Sequence, residues 1–97
     1  MKIAFRNNEL ENLANGIWDH KYPVWIWIKY RAILYELRKM DTIKEIREYH
    51  GWMAEWKEWK MSDMLWIRIN KSWRLLCKIE KWELQVLLIR DINNHYQ

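Results

Sequence analysis

Residues Pro23–Met40, PVWIWIKYRAILYELRKM, decide how this chain folds. Read at the helical period of about 100° per residue, Ile26, Tyr30, Ile33, Leu37 and Met40 fall on one stripe, with Leu34 beside it. Such a stripe is the core-facing side of a surface helix. Pro23 suits the first turn, where a missing N–H costs nothing. The far side carries a second apolar stripe, Val24, Trp25, Ile28, Ala32 and Tyr35, where Lys or Glu is the norm. A helix apolar on both sides is either sandwiched in a large core or meets something outside the chain. A chain of 97 residues has trouble building two layers over one helix. Two readings stay open. The N-terminal helix covers part of the second stripe, or the stripe is a partner surface. In the second case Trp25, Ile28 and Tyr35 are the anchors, and Ala32 is small enough for close approach.

Outward from this helix, the chain reads as helices followed by strands. Lys2–Phe5 alternates and suits an edge strand. Asn7 or Asn8 caps a helix through Glu9, Leu10, Leu13 and Ala14, and Asn15-Gly16 stops it. Asp19–Tyr22 is a polar connection. A short third helix spans Thr42–Tyr49, with Asp41 or Thr42 as its cap and Glu45 three residues after Thr42. His50-Gly51 ends it. Trp52–Lys60, Met64–Ile69, Trp73–Glu80 and Leu84–Asp91 then read as strands of a meander. Met61-Ser62-Asp63, Asn70-Lys71-Ser72 and Lys81-Trp82 are its turns. The order is that of an α+β layer architecture in a single domain over residues 1–97.

Composition narrows the function. With 51% hydrophobic residues, two Gly and one Pro, the chain is neither a disordered tail nor a collagen-like repeat. The single Cys77 allows no internal disulfide and no four-ligand zinc cluster, which points to an unstapled cytoplasmic protein. His20, His50 and His95 lack metal-ligand spacing, and Gly16 and Gly51 make no phosphate-binding loop, so neither metal nor cofactor is expected. Apolar runs are broken by Lys, Arg and Glu, and polar Asn7, Asn8 and Glu9 follow the first five residues. Neither a membrane span nor a signal peptide is expected. A net charge of +4 permits a nucleic-acid partner without requiring one. Nine Trp are more than a small core hides easily, which makes self-association a possibility alongside recognition of a partner.

The last third carries a specific likeness. Trp66-Ile-Arg-Ile-Asn-Lys-Ser-Trp-Arg-Leu-Leu76 resembles the Ser-Ile-Arg-Val-Asn-x-x-Trp/Tyr-Arg-Leu block of the HigB branch of RelE-type toxins. Asp91-Ile-Asn-Asn-His-Tyr-Gln97 resembles the Ser-Asn-His-Tyr tail of some members. Lys2-Ile-Ala-Phe5, Glu9-Leu-Glu-Asn-Leu13 and the helix opened by Tyr22-Pro23 also fit, so the likeness covers nearly the whole chain. The resemblance implies a RelE-like toxin fold, with N-terminal helices packed on a curved antiparallel sheet of about four strands. It implies metal-independent cleavage of messenger RNA in the ribosomal A site, through the substrate's own 2′-hydroxyl, blocked by a cognate antitoxin. By position, Arg68 and Arg74 would steady the scissile phosphate and Lys71 would grip the backbone. His95 or Tyr96 would move protons or stack on a base.

The residues themselves also allow a plainer view. Strand alternation puts Trp66, Arg68 and Asn70 on one face, and Arg74 can share it. Two such arginines bind phosphate, or simply form a solvated strand face. A histidine near a terminus is more often a surface residue than a catalyst.

Several positions depart from the toxin pattern. In Trp56-Lys57-Glu58-Trp59, Glu58 stands where the family often has Lys, although some members carry Glu, and Trp59 stands where it has Gly. Trp66 replaces a Ser. A carboxylate there repels a phosphate, and an indole fills space meant for RNA. Lys57 and Lys60 flank the site as candidate RNA contacts. Trp25, Trp56, Trp59, Trp66 and Trp82 all stand where small or polar residues are usual. The combination reads as a toxin framework altered for binding, an engineered variant with impaired nuclease activity. Its partner, another protein, would meet the outer face of helix 23–40, and Trp56, Trp59 and Trp66 form a second candidate patch. The alternative is an active endoribonuclease toxin whose partners are antitoxin, ribosome and messenger RNA. A weaker third reading is a small-molecule pocket lined by Trp59, Trp66 and Arg68.

Overall fold

The computed structural model describes residues 1–48, 54–56, 64–81 and 86–94. In chain order the elements are β1 (Lys2–Phe5), α1 (Asn8–Ala14), α2 (Val24–Lys39), α3 (Ile43–Glu48), β2 (Ala54–Trp56), β3 (Met64–Arg68), β4 (Arg74–Lys81) and β5 (Val86–Asn93). The architecture is α+β. The turn expected at Met61-Ser62-Asp63 and Trp82 of that expected at Lys81-Trp82 lie outside the described residues, while Lys81 is the last residue of β4.

Each helix starts and stops for a local reason. Between the two candidate caps of α1, Asn7 takes the role: its backbone is extended and its Oδ1 accepts from the Leu10 N–H at 2.9 Å. Gly16, at φ 94, turns the chain away in the left-handed region that favours glycine. At α3 the Thr42 hydroxyl accepts from the Glu45 N–H at 3.2 Å, and the Glu45 carboxylate accepts from the Asp41 N–H at 3.2 Å. This is a capping box whose return bond lands one residue early.

The sheet has five strands in the order β1-β5-β4-β3-β2. Strands β2 to β5 form the antiparallel meander, with Arg68 opposite Arg74 and Leu76 opposite Asp91. The expectation of an antiparallel sheet is corrected at its edge: β1 lies parallel to β5, with Lys2 beside Val86 and Phe5 beside Ile89, so the sheet is mixed. A parallel pair needs a long crossover, and the three helices and the meander lie between these two strands.

One face of the sheet holds the core. Leu65, Ile67, Ile69, Leu75, Cys77, Ile79, Leu87, Ile89 and Ile92 are buried together with Leu10 and Leu13 of α1 and Ile26, Tyr30, Ile33, Leu34 and Leu37 of α2. Burial in β5 skips from Ile89 to Ile92 because the ladder shifts register there, leaving Arg90 as the extra residue. This bulge keeps the Asp91 carboxylate on the far face beside Leu76, where strict alternation would bury it. Among the described residues no helix is long and apolar enough to cross a membrane.

Candidate functional site

The rotation of α2 about its axis is set by side-chain hydrogen bonds. Tyr30, fully buried, donates its hydroxyl to the Leu10 carbonyl at 2.9 Å. The Trp27 indole N–H donates to the Leu13 carbonyl at 2.9 Å, and Arg31 Nε donates to the Ala14 carbonyl at 3.3 Å. Across the helix, Lys29 Nζ donates to the Ile69 carbonyl at 2.9 Å, just beyond β3. Ile17 follows α1 through a bond from its N–H to the Asn12 carbonyl. Thus α1 meets α2 along the flank of Trp27 and Arg31 and leaves the second stripe uncovered.

That stripe faces away from the core. Val24 is 45% exposed, Trp25 50%, Ile28 58% and Tyr35 63%, and Ala32 is exposed between them. Four large apolar side chains at this exposure on one helical face exceed the scatter of single surface hydrophobics. Cations border them. Lys29, Arg31, Arg38 and Lys39 are exposed, whereas the one acid of α2, Glu36, is ion-paired with Lys39 at 3.2 Å. Lys39 also lies 4.5 Å from the centroid of the Tyr35 ring, over the end of the stripe.

The far face of the sheet carries the other candidates. Arg68 and Arg74 stand directly opposite each other on β3 and β4, with Asn93 opposite Arg74 on the other side. Arg74 is only 3% exposed, and its Nη1 donates to the carbonyls of Asn70 at 2.7 Å, Trp73 at 3.1 Å and Lys71 at 3.3 Å. Asn70 Oδ1 accepts from the N–H groups of Ser72 and Trp73 at 2.9 and 2.6 Å, which closes the same turn. Arg74 is therefore a buried clasp on the β3–β4 turn, a role that alternation alone did not reveal. Lys71 is exposed on that turn, and Trp66 is half-buried opposite Leu76. Trp56 stands opposite Leu65 in the ladder. Lys57, Trp59, Lys60, Trp82, His95 and Tyr96 lie outside the described residues.

Among the described residues, two of the clefts open elsewhere. One, of about 460 Å³, is lined by Glu9, Asn12, Ile17, Trp18, Asp19 and His20. The other, of about 330 Å³, lies where Tyr22 and Trp73 meet edge to face at 6.0 Å, beside Asp91 and Asn93. Neither is lined by Trp66 or Arg68, so the pocket expected at those residues is not one of them. Burial, and after it the charges of Glu9 and Asp91, push the Tyr22 hydroxyl up to about 12. Burial also raises the Cys77 thiol, which keeps it protonated and unreactive. Among the described residues no group of three or more His, Cys, Asp or Glu is placed to hold a metal ion.

Comparison with known proteins adds no assignment: no family model, curated protein or solved structure matches the chain.

Proposed function

We propose that this chain is a protein-binding module on a RelE/HigB-type scaffold, and that it meets its partner through the outer face of α2. The observation that carries this reading is the exposure of Val24, Trp25, Ile28 and Tyr35 on one side of a helix whose other side is fully engaged in the core. Trp and Tyr are the residues that most often dominate interface energy, and each buried anchor contributes about 2 kcal/mol or more. The face is already formed, because the bonds from Trp27, Lys29, Tyr30 and Arg31 hold α2 in place. Replacing Trp25 and Ile28 together by Ala is expected to leave the circular dichroism spectrum unchanged and to abolish partner capture. A Lys21→Ala control on another surface is expected to keep it. Unchanged capture by the double variant refutes the assignment of the helix.

The alternative is a ribosome-dependent endoribonuclease. It draws support from the direct cross-strand pairing of Arg68 with Arg74, which makes two arginines neighbours on the sheet. This reading expects growth arrest on induction in bacteria, relieved by Arg68→Ala. Healthy growth at high soluble expression rejects it. The burial of Arg74 in its own turn favours the first reading, since its Nη1 is already occupied by backbone carbonyls.

A further inference from the structure

We infer that the outer face of α2 takes an amphipathic helix whose apolar seam is edged by Asp and Glu. This rests on the protein-binding reading above and names the chemistry of the partner.

The apolar stripe from Val24 to Tyr35 runs about 17 Å along the helix, or three turns, at about 1.5 Å per residue. Its relief is uneven. Ala32 lies between Ile28 one turn before it and Tyr35 one turn after it, with Lys29 and Glu36 beside it. A small residue ringed by four larger ones is a hole of the kind that receives a knob from a second helix. The borders carry a net positive charge: Arg31 and Arg38 on one side, Lys29 together with Glu36 on the other, and Lys39, ion-paired with Glu36, over the end. Lys29 and Arg31 each give one N–H to a backbone carbonyl, which fixes where the charge sits without neutralising it. Cations already held in position attract carboxylates at little ordering cost.

The charges also choose between occupants. A second copy would set the same cations against each other, on a chain that already carries a net +4. A bilayer of anionic lipid would satisfy the cations but offers no knob for the Ala32 hole. An acid-edged helix answers both features.

The test is selection from a displayed library of amphipathic helices of about 18 residues, with the apolar seam fixed and the edge positions varied among Asp, Glu, Lys, Arg and Ser. The intact protein and its Ile28→Asp variant serve as baits. Acidic residues are expected to be enriched at the edges. Binding of the synthesised winners is expected to fall at least about 30-fold with Ile28→Asp, and several-fold from about 50 to about 500 mM salt. Winners that need Ile28 but show no acidic bias overturn the inference and leave the protein-binding reading standing. If no winner depends on Ile28, both fall. Sedimentation and vesicle flotation complete the test. A dimer broken by Ile28→Asp, or Ile28-dependent binding to phosphatidylglycerol vesicles without acidic selection, gives the face to another occupant and overturns the inference.

Discussion

Replacement of Arg74 by Ala isolates what the buried guanidinium does. Its Nη1 serves three carbonyls, of Asn70, Trp73 and Lys71, at 2.7, 3.1 and 3.3 Å. Bonds from a charged donor contribute about 1.5–3 kcal/mol each, but one nitrogen with two hydrogens cannot supply three full bonds. The acceptors also differ. The Trp73 carbonyl keeps bonds from the N–H groups of Ile69 and Asn70, and Lys71 is exposed, so water reaches its carbonyl. The loss then centres on the shortest bond and on the buried stem, together about 2–3 kcal/mol. For a chain of this size that lowers Tm by about 10–20 °C. Thermal unfolding followed by circular dichroism measures it, with Lys71→Ala as a control expected to change stability by less than about 0.5 kcal/mol. A drop under about 4 °C for Arg74→Ala would refute the clasp. The result also governs how any toxicity assay is interpreted, because a variant that unfolds at growth temperature loses activity without revealing what Arg74 does to RNA.

Two further outcomes follow from tyrosine hydroxyls. Tyr30→Phe removes the bond to the Leu10 carbonyl and is expected to lower the unfolding free energy by about 1 kcal/mol in a urea titration, with little change in the slope. Tyr22 is protonated in the folded chain up to about 12, against an ordinary value of 10.0, so its stabilising effect is full below pH 10 and is lost between there and 12 as the unfolded chain ionises first. The urea midpoint is expected to fall over that window, less steeply in Tyr22→Phe; identical slopes in the two proteins would contradict the shift.

The parts of the fold written in local pattern were legible. The two stripes of residues 23–40 follow from helical spacing, and the shared face of Arg68 and Arg74 follows from alternation, whereas their direct pairing shows only in the structure. What was hidden depends on partners distant in sequence. Nothing in Lys2–Phe5 states that its neighbour is Val86–Ile89, or that the pair is parallel. The bulge at Arg90 moves Asp91 to the far face, and no turn residue marks it. Arg74 looks like an exposed strand residue until the carbonyls of its turn are in place. Trp27 and Lys29 flank the two stripes, and their role in orienting α2 shows only once α1 and β3 supply the acceptors. Trp27 did carry a usable signal: an indole at the border of a core stripe needs somewhere to donate.

The parallel edge also sets a timetable. During synthesis Lys2–Phe5 leaves the ribosome long before the strand it rests on, Val86–Asn93, has been made. The core side of α2 likewise waits for strands that begin at Met64. Until then only α1 covers part of the core side, and the opposite side is left exposed by the described residues even in the finished fold. A nascent polypeptide of this design cannot complete its fold until Val86–Asn93 has emerged, and it depends on its surroundings to keep the unsheltered segments apart meanwhile.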